Sequence, residues 1–133
     1  MEPLTQVPYE NLPGELVRLR TPLVSNSLIH AILLACDPAY RTGYFDGKAF
    51  DPFQLADDIE RALAKKGPLV TELASVTGYT IDIVDEHFQL VERGDGSDTI
   101  IRVLKLRDGH YETLGRWVDH SIVTEFHKRR ERD

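Results

Sequence analysis

At Gly78 the spacing of apolar residues changes period, and that change restricts the chain to folds that lay helices against a sheet. Upstream, Ser25, Asn26 and Ser27 are all good N-cap residues, and they precede Leu28, Ile29, Ala31, Ile32, Leu33, Ala35 and Cys36. These side chains cover both flanks of a helix and leave His30 as its one strongly polar interruption, the pattern of a central, buried helix. Pro38 stops it, and residues 41–50, with two glycines, read as a loop. Asp51 then caps a second helix that Pro52 opens, with Leu55, Ile59, Ala62 and Leu63 spaced for one buried face. A third, short helix spans 68–77, with Leu69, Leu73 and Val76 inward and Gly78 closing it.

After Gly78 the period is two. Residues 79–85, 88–93 and 99–106 are rich in Ile, Val, Thr and aromatics, and three such runs in a row predict an antiparallel meander. Gly94 to Ser97 form a turn, and Asp108-Gly109 predicts a tight hairpin into a fourth strand, 110–114. A closing helix is expected from about Asp119 to Arg130. Residues 1–22, with Pro3, Pro8 and Pro13, read as an irregular arm holding at most a short strand at 15–20. The fold class is therefore α+β, with residues 23–133 as a single domain whose antiparallel meander sheet packs against helices.

Composition narrows the function classes. At 133 residues, with 41% hydrophobic and 29% charged, the chain is sized for one globular core that needs no staple. Its single cysteine, Cys36, excludes an internal disulfide and the Cys-rich zinc clusters, which suits a reducing, intracellular setting. The longest wholly apolar run, 31–36, is far shorter than the ~20 residues of a membrane span, and the first residues lack a basic-plus-apolar leader. No membrane association is expected. A net charge of −6 argues against a nucleic-acid surface, and the basic tail Lys128, Arg129, Arg130 and Arg132 reads as a solvated helix end. His87, His120 and His127 have no partner at metal-ligand spacing, so neither a metal nor another cofactor is expected. Arg93-Gly94-Asp95 is explained by a hairpin turn, and Trp117 reads as core or lid.

Two places could carry chemistry. The first is the polar stretch Ser25-Asn26-Ser27, because a helix N-terminus offers free N–H groups and a positive dipole end that favour a nucleophile and an oxyanion. The second is His110 at the mouth of the Asp-Gly hairpin, 83 residues further on. Glu112 lies two residues along the same strand, so both side chains share a face and the carboxylate could orient the imidazole. His30 reads as structural, and Cys36 as core.

The segment from Ser25 to Ile32 (SNSLIHAI) resembles the nucleophile motif of the ovarian tumour (OTU) family of cysteine peptidases, Asp-Gly-Asn-Cys-Leu-Phe-His-Ala, at Asn26, Leu28, His30 and Ala31. Asp108-Gly109-His110-Tyr111-Glu112 is similar to the family's His motif, and Leu73-Ala74, Gly78-Tyr79 and 81–84 are similar to its approach to the sheet. The order holds from about Leu23 to Leu114. The chain departs from the pattern at Val24, Ser25, Ser27 and Glu112: Ser27 stands where the family has its cysteine.

The resemblance implies a small domain of the papain-like cysteine peptidase superfamily, with ubiquitin or a ubiquitin-like protein as partner. In an active version, the residue at position 27 would attack the carbonyl, His110 would act as base and then acid, and Glu112 would orient it. Backbone N–H groups around Ser25, Asn26 and Ser27 would hold the oxyanion. Tyr40, Phe45, Phe50 and Tyr111 would face the substrate, with the 85–88 turn also on the rim. Because a serine hydroxyl is far less acidic than a thiol, the expectation is a pseudo-deubiquitinase that binds rather than cuts. The alternatives are an active peptidase, one inactivated by Cys-to-Ser replacement, or a non-catalytic assembly module. Viral members of the family are often this compact, so by analogy alone the expected setting is intracellular and cytoplasmic, that of a host cell if the chain is viral.

Overall fold

Helix α1 (Ser27–Cys36) is the centre of the molecule, as its apolar circumference predicts, and every residue from Ser27 to Ala35 is buried. The computed structural model describes residues 4–127, which form a mixed α/β fold of four helices and a multi-stranded sheet. Strands β1 (Tyr9–Asn11) and β2 (Leu16–Leu19) lead into α1; α2 (Pro38–Thr42) follows it. A two-stranded ribbon, β3 (Tyr44–Phe45) and β4 (Lys48–Ala49), then precedes α3 (Pro52–Leu63) and α4 (Leu69–Thr77). The second half is all strand: β5 (Thr80–Val84), β6 (Leu90–Gly94), β7 (Thr99–Lys105), β8 (Tyr111–Val118), β9 (Ser121–Val123) and β10 (Glu125–His127). The main sheet runs β1-β2-β8-β7-β5-β6, with β9 beside β8 and β10 beside β7.

The strand period sorts side chains onto two faces. Leu19, Thr113, Val103 and Ile83 form a row toward the helices, where Ile81 and Ile101 pack with Ile29 and Ile32 of α1 and Leu73 and Ala74 of α4. Ile29, Ile32, Ile81, Ile83 and Ile101 are fully buried, each stabilising the fold by about 1.5–3 kcal/mol. The alternate residues Arg18, Leu114, Arg102, Asp82 and Arg93 line up on the other face. Two threonine hydroxyls tie the helix down: Thr113 of β8 donates to the carbonyl of Ala31, and Thr124, between β9 and β10, to that of Ala35, both at 2.6 Å.

Several local signals work as read. Asp51 accepts from the Phe53 N–H at 2.9 Å and opens α3, and Gly78 closes α4 in the left-handed conformation (φ 82°). The strand expected at 15–20 is β2; it lies between β1 and β8, and its Val17 and Leu19 are fully buried.

Three expectations are corrected. The sheet is not a simple antiparallel meander, because β7 lies parallel to β5 on the edge opposite β6. The reason is local: residues 95–98 pass over the start of β5, where the Gly96 N–H donates to Thr80 Oγ1 and the Thr80 hydroxyl donates to the Ser97 carbonyl. A Cβ on Gly96 would stand 2.4 Å from the Tyr79 carbonyl oxygen, so only glycine permits the crossing. The closing helix is absent over its described part, 119–127, which holds β9 and β10; residues 128–130, and with them the basic tail, lie outside the described residues. Asp119 and His120 both take positive φ (49° and 67°), making the two-residue turn between β8 and β9. The 41–50 loop contains the end of α2 and the β3–β4 ribbon, turned by Asp46 and Gly47 at φ 54° and 78°.

Candidate functional site

Ser27 is the first residue of α1 and is 1% exposed. Asn26 precedes it but does not cap the helix; its side-chain amide instead donates to Asp57 on α3 at 2.9 Å, anchoring the start of α1 to that helix. The Ser27 N–H is taken by the Val24 carbonyl at 3.2 Å. The N–H groups of Ser25 and Asn26 have no hydrogen-bond partner among the described residues, so two of the donors expected at an oxyanion site are free. Ser25 itself is exposed.

The Asp-Gly hairpin forms between β7 and β8 as its sequence predicts, with Gly109 at φ 88° and the His110 N–H on the Asp108 carboxylate at 2.9 Å. The start of β8 then meets the start of α1. The Tyr111 N–H donates to Ser27 Oγ at 3.0 Å, which joins the two segments singled out in the sequence. No hydrogen bond among the described residues links Ser27 to His110, so the hydroxyl has no base activating it here.

Glu112 is 4% exposed, and its Oε2 is 3.9 Å from His110 Nε2, too long for a hydrogen bond. Its Oε1 accepts from Arg18 Nε of β2, and this hydrogen bond raises the Arg18 pKa above its ordinary value. The group within reach of His110 is Thr21, whose Oγ1 lies 3.1 Å from Nε2 and also donates to the Tyr111 carbonyl at 2.5 Å. Arg18 and Thr21 escaped the sequence reading because both fall in the proline-bearing arm. Their one signal is position: Arg18 alternates with Val17 and Leu19 on a short strand, so it had to face the sheet's other side.

The remaining predicted residues scatter. Tyr40 turns toward the core, donor or acceptor to His30 Nδ1 at 2.6 Å, and burial pushes its phenol up to about 12. Phe45, at the ribbon tip, is 70% exposed, Phe50 is half-buried, and Tyr111 packs against the core with the Lys105 ammonium 6.0 Å from its ring centroid. A shallow depression of about 430 Å³ is lined by Leu23, Val24, Ser25, Asp108, Gly109 and His110. A second, of about 440 Å³ on the sheet's other face, includes Glu86 and Phe88 of the 85–88 turn together with Arg18, Leu104 and Arg107. Neither is lined by Phe45 or Phe50. Arg93 of the Arg-Gly-Asp sequence is committed to Asp82 through two hydrogen bonds, at 2.5 and 2.9 Å. No cluster of three or more potential metal ligands occurs among the described residues, and no helix there is long and apolar enough to cross a membrane.

No protein-family model matches the sequence, and no curated protein sequence matches it. Several solved structures are similar. Among them is that of the Hazara virus OTU bound to ubiquitin, aligned over 86% of this chain and 98% of that chain at 16% identity, with a TM-score of 0.47.

Proposed function

We propose that this chain is an OTU-like domain, within the papain-like cysteine peptidase superfamily, that binds ubiquitin or a ubiquitin-like protein without cleaving it. The observation that carries this reading is the hydrogen bond from Tyr111 N–H to Ser27 Oγ, because it brings the two motif-like segments, 84 positions apart, to one place. Ser27 occupies the first turn of the buried helix, His110 the mouth of the hairpin, and two free N–H groups stand just before Ser27. The depression bounded by Leu23 to Ser25 and Asp108 to His110 is the natural seat for an extended C-terminal tail.

Its chemistry favours binding over hydrolysis. An alcohol needs a base within hydrogen-bond reach to become a nucleophile, whereas the Ser27 oxygen accepts from Tyr111 and His110 Nε2 faces Thr21. The intracellular setting expected from the sequence belongs to this same proposal.

The test is labelling of a Ser27→Cys variant by ubiquitin carrying a C-terminal electrophile, beside an NMR titration of the unchanged protein with ubiquitin. Cys36 is a built-in control: burial pushes its thiol up to about 11, so the unchanged protein is expected to remain unlabelled. Labelling of the variant, with saturable shifts at residues 23–25 and 108–110 in the unchanged protein, is the expected result. A folded variant that stays unlabelled, together with no ubiquitin-dependent shifts, would replace this reading with the assembly module, for which exposed Tyr44 and Phe45 are the contact points.

A further inference from the structure

We infer that Thr21, rather than Glu112, is the positioning residue that fixes the orientation and proton placement of His110. The inference rests on the reading that His110 and Ser27 belong to one site, and it follows from counting protons on one hydroxyl. Thr21 Oγ1 has a single hydrogen, and the 2.5 Å contact to the Tyr111 carbonyl, which can only accept, takes it. Toward His110, 3.1 Å away, the same oxygen can therefore only accept. His110 must offer Nε2–H, and a neutral His110 then carries its lone pair on Nδ1. That is the nitrogen left to take a proton from a nucleophile or a substrate.

Glu112 is poorly placed to do the same work. Its Oε2 stands 3.9 Å from Nε2, and its Oε1 is engaged by Arg18 on the face of the sheet away from α1. Thr113, the next residue, reaches the Ala31 carbonyl on the opposite face, so Glu112 cannot swing toward α1 without breaking the strand alternation. Thr21 is itself fixed. It is 9% exposed, lies just past β2, and holds by one oxygen both the His110 ring and the backbone carbonyl of Tyr111, whose N–H is the donor to Ser27. One hydroxyl thus ties the imidazole to the strand that meets position 27.

The experiment is ¹⁵N NMR of the histidine rings at about pH 8, above the ordinary histidine range, in the unchanged protein and in the Thr21→Val, Thr21→Ser and Glu112→Gln variants. The expected result is a His110 Nε2–H protected from solvent exchange in the unchanged protein. Its protection is lost in Thr21→Val and retained in Thr21→Ser and in Glu112→Gln. A His110 proton on Nδ1 in the unchanged protein overturns the inference by itself, even where a variant fails to fold. So does protection that survives Thr21→Val, or protection lost in a folded Glu112→Gln. In a Ser27→Cys background, Thr21→Val is expected to slow labelling by the ubiquitin electrophile about tenfold, the worth of one hydrogen bond, with Thr21→Ser restoring it. Labelling at an equal rate in both backgrounds contradicts the positioning role. Absence of labelling in Ser27→Cys alone contradicts the proposed function instead, and the ring spectra still decide the role of Thr21.

Discussion

Arg18 and Glu112 pair side by side on the face of the sheet that α1 does not touch, and the Glu112 side chain is almost wholly withdrawn from water while that of Arg18 keeps about a quarter of its exposure. A buried carboxylate without its partner has lost its water and gained nothing in return. Arg18→Met is therefore expected to destabilise the protein by about 1–3 kcal/mol, less than for a fully enclosed pair because Arg18 is partly solvated. Urea unfolding of Arg18→Met, Glu112→Leu and the double variant measures it. The double variant should recover part of the loss seen in Arg18→Met; strict additivity of the two single effects would show that the pair does not couple.

The passage of residues 95–98 across the start of β5 sets the strand order, and it depends on a missing side chain. Gly96 has no positive φ to defend; its constraint is the Tyr79 carbonyl, 2.4 Å from the place of a Cβ. Gly96→Ala is expected to cost about 1–3 kcal/mol through forced displacement of backbone, whereas Asp98→Ala, at an exposed position of the same turn, should stay within about 0.5 kcal/mol. Chemical unfolding of the two variants compares them directly. Equal midpoints would mean that the crossing has slack.

What the sequence made legible follows from how local each signal is. The buried helix, the Asp51 cap and the Asp108-Gly109 hairpin are written within a few neighbouring residues, and they appear where expected. The parallel β5–β7 pairing was invisible, since it depends on which edge of β5 the chain reaches after Gly94, and neither strand differs in composition from one in a meander. The pattern around β9 and β10 misled differently: Asp119 and His120 lack the glycine that marks a tight hairpin, and the charged residues after them suit a helix end. Ser27 and His110 stood out as chemistry-bearing types at special places. Thr21 did not, because its hydroxyl gains meaning only when β2 lies beside β8 and places it against the Tyr111 carbonyl.

The Asp119-His120 turn gives a prediction that separates strand from helix at this end of the chain. Both residues hold left-handed backbone, which costs an ordinary L residue about 1–2 kcal/mol and glycine almost nothing. Replacing the pair by Asp119→Asn and His120→Gly supplies the preferred sequence of such a hairpin. Stability is expected to rise by about 1 kcal/mol, seen as a higher melting temperature. A continuous helix through 119–127 would respond in the opposite direction, because glycine inside a helix is destabilising.

His30 gives the pH dependence. Its side chain is 1% exposed, with Nδ1 paired to the Tyr40 hydroxyl, Nε2 without a hydrogen bond among the described residues, and the ring 5.2 Å from that of Phe53. Burial lowers its pKa from the ordinary 6.5, and Asp57 opposes this only in part. The unfolded chain therefore takes up a proton at a pH where the folded one still refuses it. The contribution of neutral His30 to stability is complete above pH 6.5 and is lost as pH falls from there toward the folded-state value. The slope from this one residue cannot exceed about 1.4 kcal/mol per pH unit. Urea midpoints between about pH 7.5 and 5 should fall in the unchanged protein, and the fall should be shallower in His30→Gln, which removes the titrating ring while keeping a polar group for Tyr40. Parallel curves for the two proteins would mean that His30 gains its proton equally well folded and unfolded.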